Sequence, residues 1–110
     1  PAGLSFARAM DGSGLRLILL ERQSREALAS PGYDGREIAL THRSIGSLEA
    51  LGAWQRIADE HKSPLRSARV LNGGSPLALT FDTGDRTEAE LGMLVPNQQI
   101  RRALFDSIEE

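Results

Sequence analysis

The chain has 110 residues, of which 40% are hydrophobic and 25% charged, and its formal net charge is −2 at pH 7. This length suffices for one small domain with a hydrophobic core, and the slightly acidic balance lacks the basic footprint of a nucleic-acid-binding protein. The chain contains no cysteine, which excludes disulfides, thiolate metal sites and a cysteine nucleophile.

The first 21 residues have the pattern of the second half of a dinucleotide-binding turn. Gly3 opens a predicted helix at residues 2–10, and a dense apolar strand is predicted at residues 15–21. In a nucleotide-binding β-α-β unit the last fingerprint glycine lets helix and strand pack closely, and an acidic residue about 20 positions later accepts a ribose hydroxyl. Gly3 and Glu21 stand at about that spacing, so we predict a cofactor-binding protein whose first strand and first two glycines would precede Pro1.

The middle of the chain alternates short predicted helices with loops and one extended segment. Ser24 is a predicted cap for a short helix ending at residue 29, and a turn-rich loop spans residues 30–35. Residues 36–41 begin extended, and from His42 the apolar period becomes helical. We expect that helix to end near Gly52 and a short helical turn to follow. The apolar positions of this period are Ile45, Leu48, Leu51 and Trp54.

The last third carries a hairpin signal. Strands are predicted at residues 67–71 and 77–82, because Asn72, Gly73 and Gly74 between them reach positive φ at low cost. After a polar loop at 83–90, a short strand is expected at 91–95. Pro96-Asn97 then begins a final helix, with Asn97 as its N-cap and with Ile100, Leu104 and Ile108 on one face.

This order of elements predicts an α/β fold. We expect a partial Rossmann-like domain, a parallel sheet with helices, that lacks the first strand of the fingerprint and carries an inserted antiparallel β-hairpin. Residues 1–66 would form the nucleotide-binding part, residues 67–90 the hairpin insertion, and residues 91–110 the return strand and helix. All three parts belong to a single partial domain.

Several polar residues are better explained by structure than by chemistry. His42 and His61 lack partner ligands at metal-binding spacing, so no metal site is predicted. Trp54 is expected in the core. The acidic residues Asp82, Asp85, Glu88 and Glu90 lack calcium-loop spacing and are interpreted as a solvated face.

Three passages resemble the flavin-dependent aromatic hydroxylases of ubiquinone biosynthesis, particularly the demethoxyubiquinone hydroxylase type. These are PAGLSFARAM with LILLER (residues 1–22), YDGREIALTHRS continuing into LEALGAW (residues 33–54), and LGMLVPNQQIRRAL (residues 91–104). The first passage is common to many FAD and NAD proteins. The second and third together are far more specific, and the resemblance covers nearly the whole chain.

The resemblance implies an FAD-dependent monooxygenase that uses NAD(P)H and oxygen to hydroxylate an aromatic ring. Gly3 would be the third fingerprint glycine beside the FAD pyrophosphate, and Glu21, with Arg22 next to it, would contact the adenosine ribose. Arg36 matches an arginine near the pyrophosphate and ribityl chain. Asn97 stands where relatives carry a residue that contacts the flavin. No catalytic residue is assigned.

The resemblance also implies partners and a location. The substrate would be an aromatic quinone precursor with a prenyl chain, and the enzyme would join a ubiquinone-biosynthesis complex. The longest apolar run is too short to span a bilayer and no signal peptide is visible, so we expect a cytoplasmic protein, peripheral at the inner membrane. We expect the chain to be an N-terminal fragment of an enzyme several times longer, inactive and prone to self-association when isolated.

Two other functions remain open at this point. A flavin or nicotinamide dehydrogenase without oxygen insertion would share the pattern of the first 22 residues. A non-catalytic α/β interaction module would retain the fold without the chemistry. Hydroxylated product formed with NAD(P)H oxidation and oxygen consumption would distinguish the monooxygenase from both.

Overall fold

The computed structural model describes residues 1–84 and 89–109. Two short 3-10 turns, Trp54–Arg56 and Asp59–His61, lie between the third helix and the second strand. The helices and strands, in chain order, are α1 Ala2–Ala9, α2 Arg25–Ala29, β1 Glu37–Thr41, α3 His42–Ala50, β2 Ser63–Leu65, β3 Ser67–Leu71, β4 Ala78–Asp82, β5 Gly92–Pro96 and α4 Asn97–Ile108.

The main sheet is antiparallel, so the predicted parallel sheet is wrong. Its strand order is β1-β5-β2, and both β1 and β2 run opposite to the central strand β5. The strands β1 and β2 precede and follow α3 in the chain and run in the same direction. They do not pair with each other, because β5 lies between them and pairs with both. A Rossmann-like sheet is therefore not formed by residues 1–84 and 89–109. The edge strand β2 was not predicted, and it carries Pro64, a residue that edge strands tolerate.

The apolar segment 15–21 has no regular secondary structure and does not form the predicted strand. No strand in the described part of the chain pairs with it, and Ile18 and Leu20 are 76% and 90% exposed. The prediction is wrong because a run of apolar residues indicates a buried strand only when neighbouring strands cover it. The sequence carries the apolar character but does not specify those neighbours.

Helix α1 confirms the predicted helix at residues 2–10, but it does not pack against the sheet that was expected as its neighbour. A Rossmann-like fold would place Leu4 and Ala7 against a sheet, whereas α1 packs against α4 and Leu4 reaches the edge of the core. The apolar spacing of a helix defines a buried face but does not distinguish a helix from a sheet as its partner. Helix α2 is confirmed with its predicted cap, since Ser24 accepts a hydrogen bond from the backbone N–H of Ala27.

The core lies where α3 and α4 cover one face of β5. Val95 and Leu104 are fully buried, and Leu48 and Ile100 are 8% and 5% exposed. The predicted helical period of residues 45–54 and the apolar face of the last helix are confirmed by these positions, and Trp54 packs partly buried against the same cluster. This core fixes the start of α4 against the start of β1, because Glu37 and Pro96 are register partners.

The hairpin is confirmed as a separate two-stranded sheet. Its strands β3 and β4 pair antiparallel from Ser67–Asp82 to Leu71–Ala78. Of the expected acidic loop, Asp85 and Glu88 lie outside the described residues. The division of the chain into three parts stays a prediction. Within the described ranges, no helix combines the length and apolar character needed to cross a membrane.

Candidate functional site

A cavity of about 400 Å³ lies between α1, the apolar segment 15–21, α2, the residue before β1 and α4, and we call it the α1–α4 cleft. Four of the five predicted cofactor residues line it, namely Gly3, Glu21, Arg36 and Asn97. Arg22 does not. The remaining lining residues are Pro1, Leu4, Leu19, Leu20, Gln23, Leu28 and Arg101.

Gly3 in α1 lies against the side chain of Leu19 in the apolar segment 15–21. A Cβ built on Gly3 would stand 3.0 Å from Cδ1 of Leu19, tighter than ordinary van der Waals contact. The neighbour is the end of a side chain and not a strand backbone, so the role of Gly3 as a fingerprint glycine stays a prediction. The first backbone N–H groups of α1 have no acceptors within the helix and carry the positive end of its dipole. The cleft therefore has a helix terminus that favours an anion.

Glu21 is held by its own backbone turn. Its Oε1 accepts hydrogen bonds from the N–H groups of Arg22 and Gln23, at 2.7 and 3.0 Å. These two bonds, with a smaller contribution from the charge of Arg101, lower the pKa of Glu21. The side chain is thus an ionised acceptor, and Oε2 is not used by this turn. Arg22 contributes its backbone amide to the turn, while its side chain does not line the cleft.

Arg101 is the second arginine of the cleft. It lies four residues after Asn97 on the same face of α4, and its Nη2 donates to Oε1 of Gln23 at 2.7 Å. The neighbouring Arg102 instead lies 3.8 Å from Asp106 and takes no part in the lining. Arg101 and Gln23 join α4 to the turn at Glu21.

Asp34 does not line the cleft but accepts hydrogen bonds from two residues that do, Arg36 and Asn97. Its Oδ2 accepts from Nε and Nη2 of Arg36, at 3.0 and 2.6 Å, and from Nδ2 of Asn97 at 2.7 Å, while its Oδ1 accepts from the backbone N–H of Arg36 at 3.1 Å. The Arg36 guanidinium and then the Asn97 amide lower the pKa of Asp34 to about 2. The aspartate is therefore charged at neutral pH.

Asn97 is not the predicted N-cap. Pro96 occupies the cap position without a side-chain hydrogen bond, and Asn97 is the first residue of α4. Its backbone N–H donates to the carbonyl of Arg36 at 2.9 Å. The side-chain amide is engaged by Asp34 across the loop, and this long-range contact replaces the local capping bond.

Sequence reasoning missed Gln23 and Asp34 and did not assign Arg101 to the site. For Asp34 a signal exists, because Asp-Gly-Xaa favours a turn in which the carboxylate accepts the N–H two residues on. Nothing near Gln23 indicates its contact with Arg101, since the two residues are 78 positions apart.

A second cavity of about 370 Å³ adjoins the first and shares Pro1 and Asn97 with it. Its walls are mostly apolar side chains of β1, α3 and α4, with serine hydroxyls at positions 5, 44 and 47. A polar cleft thus continues into a less polar one at the start of α4.

The remaining candidates lie elsewhere. The ring nitrogen Nε2 of His42 lies 2.8 Å from the carbonyl oxygen of Glu90, and that of His61 lies 3.7 Å from Oε1 of Glu60. Lys62 lies over the ring of Trp54, 4.7 Å from the ring centre, which is a packing role. In residues 1–84 and 89–109, no three His, Asp or Glu side chains gather as a metal-binding group.

Comparison with known proteins identifies relatives along the whole chain. The whole chain is 45% identical, over 114 aligned positions, to ubiquinone hydroxylase UbiM of Neisseria meningitidis serogroup C / serotype 2a. The aligned region covers 25% of the length of that protein. Over 94% of its length it is 30% identical to ubiquinone hydroxylase UbiL of Rhodospirillum rubrum and covers 24% of that protein. No protein-family model matches the chain.

These comparisons confirm the predicted resemblance. The chain is homologous, over its whole length, to ubiquinone hydroxylases. It spans about a quarter of the length of the curated relatives it matches.

Proposed function

We propose that this chain forms part of an FAD-dependent monooxygenase that hydroxylates an aromatic ring of a ubiquinone precursor with NAD(P)H and oxygen. The observation that carries the proposal is the 45% identity, over the whole chain, to a protein named ubiquinone hydroxylase. The α1–α4 cleft supports it independently, because residues far apart in sequence line one cavity of suitable chemistry.

The cleft has the donor set that a dinucleotide needs. A pyrophosphate requires N–H donors and cations, a ribose requires an ionised acceptor, and the rings require apolar walls. The start of α1, Arg36 and Arg101 supply the donors and cations for the pyrophosphate. Glu21 supplies the acceptor for the ribose, and the leucines of the lining supply the apolar walls. Gly3 leaves room where a Cβ would press on Leu19. The residues present therefore fit FAD.

Each of these residues has a distinct part in binding. The N-terminal amides of α1 and the guanidinium of Arg36 favour the negative charge of the pyrophosphate. Glu21 is fixed by its two backbone bonds and accepts from ribose hydroxyls with its remaining oxygen. Asn97 stands between the polar and the apolar cavity and orients the cofactor at their junction. When bound, FAD supplies the redox and oxygen-transfer chemistry, which no side chain of this sequence provides.

The remaining parts of the proposal concern the enzyme that contains this chain. Its substrate is an aromatic quinone precursor with a prenyl chain, and its partners are the other proteins of a ubiquinone-biosynthesis complex. The enzyme is cytoplasmic and peripheral at the inner membrane, where a prenylated substrate resides. The name of the relatives, ubiquinone hydroxylase, supports the substrate class in this proposal.

The test is a flavin spectrum of the natural protein that contains this sequence, together with one matched pair of variants. An absorbance band at about 450 nm on the purified protein indicates bound flavin. We expect Glu21→Gln to lower FAD affinity by about tenfold, because a charged hydrogen-bond acceptor is lost. The matched control is Glu60→Gln, since Glu60 is exposed, lies outside the cleft and also keeps its size on substitution.

The outcomes separate the competing functions. Flavin in the wild type and weaker binding in Glu21→Gln alone support the proposal, and NAD(P)H-dependent oxygen uptake with a hydroxylated product completes it. Flavin without oxygen insertion would favour a dehydrogenase. The absence of flavin from the wild type would reject the monooxygenase and favour a non-catalytic interaction module.

A further inference from the structure

We infer that Asp34 is a positioning residue of the cofactor site, which orients Arg36 and Asn97 toward the α1–α4 cleft without lining it. This inference rests on the proposed function, because it concerns how the same site holds FAD. Asp34 is absent from the residues that line the cleft, whereas both of its partners are present there. An acidic residue beside an anion site would oppose binding if it acted by charge alone.

The contacts of Asp34 fix both the backbone and the side chain of Arg36. Its Oδ1 accepts the backbone N–H of Arg36, and its Oδ2 accepts Nε and Nη2 of the same residue. Two nitrogens of the guanidinium are thus held on one side, and Nη1 is not engaged by Asp34. A guanidinium held by a carboxylate at two nitrogens has a defined plane, unlike a freely rotating exposed arginine.

The third partner joins this turn to α4. Asn97 is 5% exposed, and its Nδ2 donates to Oδ2 of Asp34 while its N–H donates to the Arg36 carbonyl. The three residues therefore form a closed set of hydrogen bonds between the loop before β1 and the first residue of α4. The side chain of Asp34 is 26% exposed, so these bonds are partly shielded from water. The set keeps two cofactor contacts at a constant separation.

Gly35 makes this arrangement accessible to the chain. Its φ of 72° lies in the left-handed region, which turns the backbone so that Asp34 can reach the N–H of Arg36. Three consecutive residues, Asp34, Gly35 and Arg36, thus encode the geometry locally, and Asn97 links it to the rest of the fold.

The experiment is a double-mutant cycle on FAD affinity in the natural protein that contains this sequence. We expect Asp34→Asn to weaken FAD binding by about tenfold, the effect of one charge-assisted hydrogen bond. In an Arg36→Gln background, the same change should lower FAD affinity by clearly less than it does in the wild type, because only the contact with Asn97 is then left to lose. The control is Asp59→Asn, which removes the ion pair of an exposed carboxylate with Lys62, away from the cleft.

The outcomes distinguish this inference from the proposed function. Wild-type protein that binds no FAD overturns both. If the wild type binds FAD but Asp34→Asn binds it equally well, or loses as much in the Arg36→Gln background, Asp34 does not act through Arg36 and the inference is overturned alone. The thermal midpoint of each apoprotein checks that the variants fold.

A second variant tests the same inference without changing Asp34. Arg36→Lys keeps the positive charge but cannot present Nε and Nη2 to one carboxylate. If orientation matters, Arg36→Lys should lose most of the affinity that Arg36→Gln loses. Wild-type FAD affinity in Arg36→Lys would mean that charge alone suffices, and the inference would then be overturned even if Asp34→Asn failed to fold.

Discussion

Gly92 lies directly against the backbone of Leu40 in the main sheet. A Cβ at position 92 would overlap the Leu40 carbonyl oxygen and stand 3.0 Å from the carbonyl carbon. Gly92 also has a φ of 152°, a conformation that L side chains rarely adopt. Because β5 is the central strand, this close approach determines how tightly β1 joins the sheet, and β1 begins next to Arg36 in the α1–α4 cleft.

We predict that Gly92→Ala destabilises the protein by about 3 kcal/mol, since backbone atoms must move to admit the methyl group. The matched control is Gly46→Ala. Gly46 lies in the exposed face of α3, where an added Cβ would meet nothing within 4 Å. There, alanine should stabilise the helix by up to about 1 kcal/mol. Urea unfolding of both variants measures the difference, and equal effects would contradict the close approach.

A second pair of glycines tests the turn that holds Arg36 in the proposed cofactor site. Gly35→Ala should cost about 1–2 kcal/mol, because Gly35 has a left-handed φ and alanine is strained there. We also expect weaker FAD binding, since the turn holds Arg36. Gly32→Ala, in the same loop but without a positive φ and with open space around it, should be nearly neutral. Thermal unfolding and FAD titration of both variants check this, and equal behaviour would argue against a role for the turn.

The pKa of Asp34 predicts a dependence of stability on acid. Its pKa falls from the ordinary 3.8 to about 2 in the folded protein, chiefly through the Arg36 guanidinium. A carboxyl whose folded pKa is depressed stabilises the protein fully above its unfolded pKa, and this contribution is lost as the pH falls toward the folded pKa. The Asp34 contribution should therefore persist above about pH 4 and disappear between about pH 4 and pH 2.

The measurement compares the wild type with Asp34→Asn by unfolding at several pH values. The stability difference between them should be constant near neutral pH and shrink below about pH 4. Comparison of the two proteins cancels the contributions of Glu21, Glu26 and Asp59, whose pKa values are also lowered. A difference that does not vary with pH would show that Asp34 is not held as an ion by its partners.

Local signals predict the elements that the structure confirms. The helical period of residues 45–54, the Asn-Gly-Gly turn of the hairpin and the apolar face of α4 each act over a few residues. The pairing of β1 with β5 joins residues as far apart as Glu37 and Pro96, 59 positions along the chain, and no local pattern indicates which strands will pair. The prediction of a strand at residues 15–21 fails for the same reason, because the local apolar pattern does not indicate whether a partner strand lies beside it.

The residues of the candidate site also fall into two groups, those that the sequence indicates and those that depend on long-range contacts. The spacing of Gly3 and Glu21 in the sequence indicates a nucleotide site, and the resemblance to the hydroxylases adds Arg36 and Asn97. All four residues line the α1–α4 cleft. Gln23 and Asp34 were missed because their importance arises from contacts with α4, 78 and 63 positions away.

The exposed apolar segment 15–20 leads to the last prediction, which concerns the isolated 110-residue chain. A segment that no described strand pairs with and that exposes several leucines is a template for intermolecular association. We expect the isolated chain to self-associate, and Leu20→Lys to reduce this association, because Leu20 is 90% exposed and no described strand covers it. The control is Leu77→Lys, a 79% exposed leucine beside β4, whose hairpin already pairs one edge of each strand. Sedimentation over a range of concentrations measures the effect, and a wild-type chain that remains monomeric, or a larger effect of Leu77→Lys, would show that this segment is not the contact.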